Sequence, residues 1–481
     1  MVKKYLVLFV CAAVFAAPHR VPAQRAGSLS QARTISVDAF TGGPTAVQLR
    51  LSLIRQLSRS GRFQIVDSPQ KADAVVKGSS QIWVRGFIKI DPRAPEANRQ
   101  TIYGGYLSLE VVGAGGQPLW SWMITPERLA WSNIVDDLSS HAAKKLLEAS
   151  EAAHPAPAAP SNSGSLAQTS LAGAGATFPA PLYQKWFQDF ADLHPGVEIR
   201  YAPIGSQLGI DDLAAGKIDF AGSDVAPESD NEHSSAQHIR RIATVLGAVV
   251  PIYNLKGVSR DLRFTPETLA GIYMGRIKRW NDEEIRRTNK GADLPDAEIA
   301  VIHRSDGSGT TWVWSNFLSQ VSPAWASSVG CGTTLKWPVG IGAEHSEGVA
   351  DAVQNTPNSI GYVELTFAIQ HQLSFGAVRN KSGEFIHADL DSLADAARSA
   401  AKSGEPPSVI SDSSARYAYP IASFTWLLIP ASEPDAAKRA ARIELLRWIL
   451  TSGQKECSAF GYAPLPKETV EAQLHALDTL P

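Results

Sequence analysis

The sequence predicts an α/β protein preceded by a small α+β domain, and three observations carry that prediction. Beyond about residue 170, short apolar strands alternate with helical segments, as at Glu198 to Tyr201, Val245 to Tyr253, Ile299 to His303 and Phe424 to Ile429. Residues 33–149 form a separate block with its own mixture of strand and helix periodicity. Between the two, across 150–170, Ala, Pro, Ser, Asn and Gly dominate and hydrophobic periodicity vanishes, which reads as a linker. A chain of 481 residues also exceeds the ~250–300 residues that one hydrophobic core organises.

In chain order, Lys3 and Lys4 precede an apolar stretch from Tyr5 to Ala17, and Val21-Pro22-Ala23 offers small residues where a signal peptidase cuts. Residues 1–23 therefore read as a cleaved export signal. The apolar stretch is shorter than the ~20 residues a membrane-spanning helix needs. In the next block, Thr34 to Phe40 alternates like a strand and Thr45 to Ser58 has helical spacing. Phe63 to Asp67 is a short strand, and Ala74 to Ile88 makes one or two more. Ile102 to Val112 and Pro118 to Ile124 flank a Gly-rich turn and predict a hairpin, and Ile134 to Ser150 predicts a closing amphipathic helix. The residues assign this domain no role; an anchor or spacer in the cell envelope is one reading.

Composition narrows the function. Charged residues make up 19% and the net charge is -2, so neither a disordered chain nor a nucleic-acid partner is predicted. No Cys or His set has metal-site spacing, and no metal or cofactor is expected. Cys11 leaves with the signal, while Cys331 and Cys457 remain, and sequence alone leaves open whether they bridge.

Four stretches place hydroxyls and glycines at the start of a helix, where free backbone amides and the helix dipole favour an anion. Gly173-Ala174-Gly175-Ala176-Thr177-Phe178 precedes a Pro-initiated helical run from Leu182 to Leu193. Gly205-Ser206-Gln207-Leu208-Gly209 leads into Ile210 to Ala215, and Ser206 alone would pass for a helix cap. Asp219 to Pro227 is an apolar strand ending in small residues and the carboxylate Asp224. His303-Arg304-Ser305-Asp306-Gly307-Ser308-Gly309-Thr310-Thr311 joins a strand to the aromatic run Trp312 to Gln320, with Ser308 and Thr310 as hydroxyl donors and Arg304 as a planar fork for a tetrahedral oxyanion. The stretch lacks the lysine of a nucleotide-binding P-loop and the glycine frame of a serine-hydrolase elbow. Only His303 stands near as a base, so a phosphatase is disfavoured and no catalytic residue is expected.

Taken together these segments resemble the PstS family, the periplasmic phosphate-binding receptors of ABC phosphate transporters. The resemblance also runs through Gly271-Ile272-Tyr273-Met274-Gly275-Arg276-Ile277-Lys278-Arg279-Trp280-Asn281, Lys336-Trp337-Pro338-Val339-Gly340 and Ile360-Gly361-Tyr362-Val363-Glu364, and covers roughly residues 171–475. It implies a type II two-lobed periplasmic-binding-protein fold over 171–481, with hinge strands near Val249 to Tyr253 and Tyr419 to Phe424. Lobe I would span about 171–250 and 425–481, and lobe II about 251–424. It further implies that inorganic phosphate is held by Thr177, Phe178, Ser206, Asp224, Arg304, Ser308, Gly309 and Thr310, with Asp306 supporting Arg304. The expected partners are membrane permease and ATPase subunits, and the receptor is expected to be a periplasmic monomer. The alternative is an envelope or adhesive phosphate-binding protein without a transport role. Two departures touch the site: Gln207-Leu208 replaces a family Ser-Gly, and Val225 is inserted after Asp224.

Overall fold

The structure is a computed structural model that describes residues 29–42, 45–89, 99–116, 118–126, 133–151, 169–225, 239–258, 261–400 and 410–478. The export signal and nearly all of the linker lie outside these residues.

The first domain is one twisted sheet with helices on one face. Strand Thr34–Val37 runs parallel to Gln64–Ile65 on one side and to Ala74–Lys89 on the other. Arg99–Gly113 and then Pro118–Ile124 extend the sheet antiparallel. Ala74 to Ile88, expected to hold one or two strands, lies within the single 16-residue strand Ala74–Lys89, which has an irregularity between Val84 and Gly86. The strand expected over Phe63 to Asp67 shrinks to Gln64–Ile65, which pair with Thr34 and Ile35, and the Val66 amide closes the ladder on Ile35 O at 2.9 Å. Helices Ala46–Ser60 and Ile134–Glu151 turn Leu49, Leu53, Leu57, Leu138 and Leu146 onto Ile35, Val76, Leu107, Leu109 and Val111, all fully buried. Alternation along the strands sends Trp83, Tyr106 and Met123 away from this core.

The second domain is built on strand Ile239–Asn254. Its first part, Ile239 to Ala248, pairs antiparallel with Ile421–Pro430, and its last part, Val249 to Asn254, pairs with Ser359–Glu364. Each pairing opens its own half-sheet. On the first side, Ile421–Pro430 leads to Phe220–Ser223, Thr169–Gly175 and Val197–Ala202. On the second side, Ser359–Glu364 leads to Ala300–Arg304 and Ile341–Ala343. The two half-sheets are two lobes, with the switch at Ala248 and Val249. At the second crossing Tyr419 donates its hydroxyl to Val249 O at 3.0 Å, tying the two connections together. The strands are apolar on both sides because helices cover both faces, and Ala422, Leu427 and Leu428 are almost wholly inaccessible.

Candidate ligand-binding site

Backbone conformation brings the four stretches together. Strand Thr169–Gly175 ends at Gly175 with φ of +136°, where a Cβ would stand 2.1 Å from Gly222 O, so the chain reaches the start of helix Ala180–Leu193 only with glycine there. Gly205, at φ +98°, starts helix Ser206–Ala214 earlier than its apolar pattern suggested and puts Ser206 in the first turn. Ser206 is not a cap: its hydroxyl lies 3.4 Å from Asp224 Oδ2 and 3.3 Å from the Asp224 amide. The inserted Val225 is absorbed in a turn where Ser223 Oγ donates to Val225 O at 2.6 Å and accepts from its amide, leaving Asp224 aimed inward.

Across the cleft, helix Gly309–Val321 is capped by Ser308, whose Oγ accepts from Thr311 N at 3.1 Å and keeps its own proton free to donate. Its first residue faces the other lobe so closely that a Cβ on Gly309 would sit 2.4 Å from Ser206 Oγ and 2.6 Å from Asp224 Oδ2. Arg304, at the end of strand Ala300–Arg304, is held in a fork by Asp306, Nε to Oδ1 at 2.7 Å and Nη2 to Oδ2 at 2.5 Å. Its free edge, Nη1, points at the hydroxyls of Thr177 and Ser346, each 3.4 Å away. Ser346, in the first turn of helix His345–Asn355, meets Thr177 Oγ1 at 2.9 Å across the lobes.

The lobes are therefore closed on one another, and Thr177, Phe178, Ser206, Asp224, Arg304, Ser308, Gly309 and Thr310 are all buried. These eight residues are drawn from all four stretches, and Asp306 stands beside Arg304. Sequence reasoning missed Ser346, although its signal was the same: a hydroxyl opening a helix directly after a short strand.

Electrostatically the site is poised and nearly neutral. Burial raises the Asp224 carboxyl to about 8, opposed by the Arg304 charge and the Ser206 hydroxyl. Burial also acts on Asp306, but Arg304 outweighs it and holds that carboxyl below its ordinary value. Arg304 is thus already balanced by Asp306, and further stabilisation of an anion must come from hydroxyls and helix starts. Two buried side-chain atoms here, Asp224 Oδ1 and Thr310 Oγ1, have no hydrogen-bond partner. His303 is not part of the cleft: its ring stacks on Trp337 at 4.7 Å and bonds Arg304 O at 3.0 Å. Cys331 and Cys457 are both free thiols, one exposed and one buried.

Fold and site define a binding protein with a cleft between lobes, and a family model described as a PBP superfamily domain matches residues 159–451. Phosphate-binding protein PstS of Xylella fastidiosa strain Temecula1 is 40% identical over 304 residues, covering 63% of this chain and 83% of that protein. Its counterpart from Pasteurella multocida is 37% identical over 311 residues, covering 63% and 88%. The chain belongs to the PstS family of phosphate-binding proteins. Among solved structures, a periplasmic phosphate-binding protein, PfluDING, superposes with a TM-score of 0.51 at 20% identity over 63% of this chain and 92% of that one, which shows the shared fold. Among the described residues, no helix is long and apolar enough to cross a membrane.

Proposed function

We propose that this chain captures inorganic phosphate in the closed cleft and delivers it to the permease and ATPase subunits of an ABC phosphate importer. In this reading it acts as an exported, periplasmic, monomeric receptor with no catalytic step. Thr177, Phe178, Ser206, Arg304, Ser308, Gly309 and Thr310 donate to the anion, Asp306 fixes Arg304, and Asp224 accepts.

The observation that carries the reading is the pair of buried, unpartnered atoms, Asp224 Oδ1 and Thr310 Oγ1, set among helix starts. A lone acceptor carboxylate among donors calls for an anion that brings its own proton. Hydrogen phosphate has one; sulfate has none. An ionised Asp224 facing sulfate would meet a second negative charge with no proton between them. The position of His303, stacked away from the cleft, supports a receptor rather than a hydrolase. Native mass spectrometry of protein purified without added ligand tests the reading: one phosphate per chain is expected, and a chain that never carries phosphate contradicts it.

A pH dependence follows. Below about 8 the Asp224 carboxyl is neutral and can donate to sulfate, whereas above it the carboxylate can only accept. Phosphate keeps its last proton well above that range. Sulfate should therefore compete tenfold or more less effectively at about pH 9 than at about pH 6, and a competition constant that does not change across this range would contradict the role of Asp224.

Gly309→Ala places a methyl against Ser206 and Asp224 and blocks closure while leaving both lobes intact. Titration calorimetry should show phosphate affinity reduced by more than about tenfold with little change in melting temperature. Parental affinity would mean that the lobes need not close this far.

A further inference from the structure

The sheet of the N-terminal domain has one face on its own helices and the other on the binding domain. Trp83, Tyr106 and Met123 are each at least nine-tenths buried, and they belong to the apolar cluster of the binding domain rather than to their own domain's core. Trp83 stacks on His387 at 4.7 Å and Tyr106 on Phe375 at 6.4 Å. Gln81 Nε2 donates to Asp261 Oδ1 at 2.5 Å, and Ser79 Oγ to Ile369 O at 3.4 Å. These four partners lie in the second lobe. Met123 instead meets the first lobe, where a Cβ on Gly461 would lie 3.2 Å from its Cε.

That last contact falls beside the connection between the lobes. Thr366 of the second lobe donates to Phe460 O at 2.5 Å. The neighbouring Tyr462 donates its hydroxyl to Phe178 O at 2.7 Å, on the loop that opens helix Ala180–Leu193, and lies 3.1 Å from Glu364 Oε2. The Tyr462 hydroxyl is thus shared between two acceptors, the Phe178 carbonyl in the first lobe and the Glu364 carboxyl in the second. Burial raises this carboxyl to about 8, opposed by the Thr366 amide and the Tyr462 hydroxyl. The docked domain therefore touches both lobes and presses on the turn that seats the ligand loop.

We propose that the N-terminal domain is an intramolecular clamp that favours the closed arrangement of the lobes and so slows release of the bound anion. A body that contacts both lobes loses contacts when they rotate apart, so its docking free energy adds to the closed state alone. The inference rests on the phosphate-binding reading but makes a separate claim about rate.

The test uses the full chain carrying Trp83→Ala, Tyr106→Ala and Ser79→Arg together, none of which lies in the anion site. Hydrogen exchange over 369–375 reports whether the domain has let go, and stopped-flow reports phosphate release. The clamp predicts faster exchange there with release accelerated about tenfold or more. Gln81→Glu, which sets two carboxylates face to face without touching the apolar contacts, should accelerate release in the same direction and lose its effect at high salt. Release within twofold of the parent despite raised exchange, slower release, or exchange unaltered by all substitutions would each overturn the clamp. If the unsubstituted chain retains no phosphate, the functional reading fails instead.

Discussion

Arg304→Ala is expected to weaken phosphate binding by roughly 10²- to 10³-fold, on the order of 3–4 kcal/mol. The loss has two parts. One is the charge-assisted bond from the Nη1 edge that faces Thr177 and Ser346. The other is Asp306, left as a carboxylate in a half-buried site with the His345 amide, 3.1 Å from its Oδ1, and its own backbone amide in place of a full positive charge. Arg304→Lys should recover part of the loss and no more, because a point charge cannot be forked by Asp306 and still present a fixed edge to the ligand. Calorimetry giving less than about threefold weakening for the alanine variant would show that helix starts and hydroxyls suffice.

The second large effect is on selectivity. Asp224→Asn exchanges the carboxylate for an amide, so phosphate keeps only a weaker, uncharged acceptor for its proton and sulfate gains a donor. At about pH 9, where the parent carboxyl is ionised, the preference for phosphate over sulfate should fall by about tenfold, mainly through improved sulfate binding, and at about pH 6 it should change little. An unchanged ratio in parallel titrations would remove Asp224 from the selectivity account. The same substitution has a consequence for stability. The folded carboxyl titrates near 8, so between its ordinary value and about 8 the folded chain holds more protons than the unfolded one, and ligand-free stability falls as pH rises through that window. Asp224→Asn should flatten part of this slope in thermal melts recorded without phosphate. Glu364, also raised to about 8 by burial, and Glu456, raised to about 7, contribute with the same sign.

The site was more legible than the way its parts meet. Thr177, Ser308 and Arg304 each stood in a stretch whose glycines and following helix pointed to an anion from local chemistry, whereas Ser206 alone read as a helix cap. Ser346 carried the same signal, but weakly, behind a three-residue strand that no periodicity marks. Asp224 looked like a turn residue, and only the close approach of Gly309, 85 positions away, gives it a buried acceptor role. The pairing of Arg304 with Asp306 was legible only through the family resemblance, and the structure forms it between two residues of one loop. The contacts of Trp83 with His387 and of Met123 with Gly461 were not readable, since alternation shows that a strand has a second face but not what covers it. Likewise, the long strand Ile239–Asn254 announced itself by its apolar run, while its division between two half-sheets is a property of its partners.

Equilibrium dialysis against radiolabelled orthophosphate, with and without an excess of sulfate at about pH 9, where the Asp224 carboxyl is ionised, tests the central claim most directly. Saturable uptake of one phosphate per chain that excess sulfate leaves essentially intact is the predicted result. No saturable uptake, or uptake that sulfate displaces as readily as unlabelled phosphate does, would contradict a cleft built around Arg304 and the acceptor Asp224.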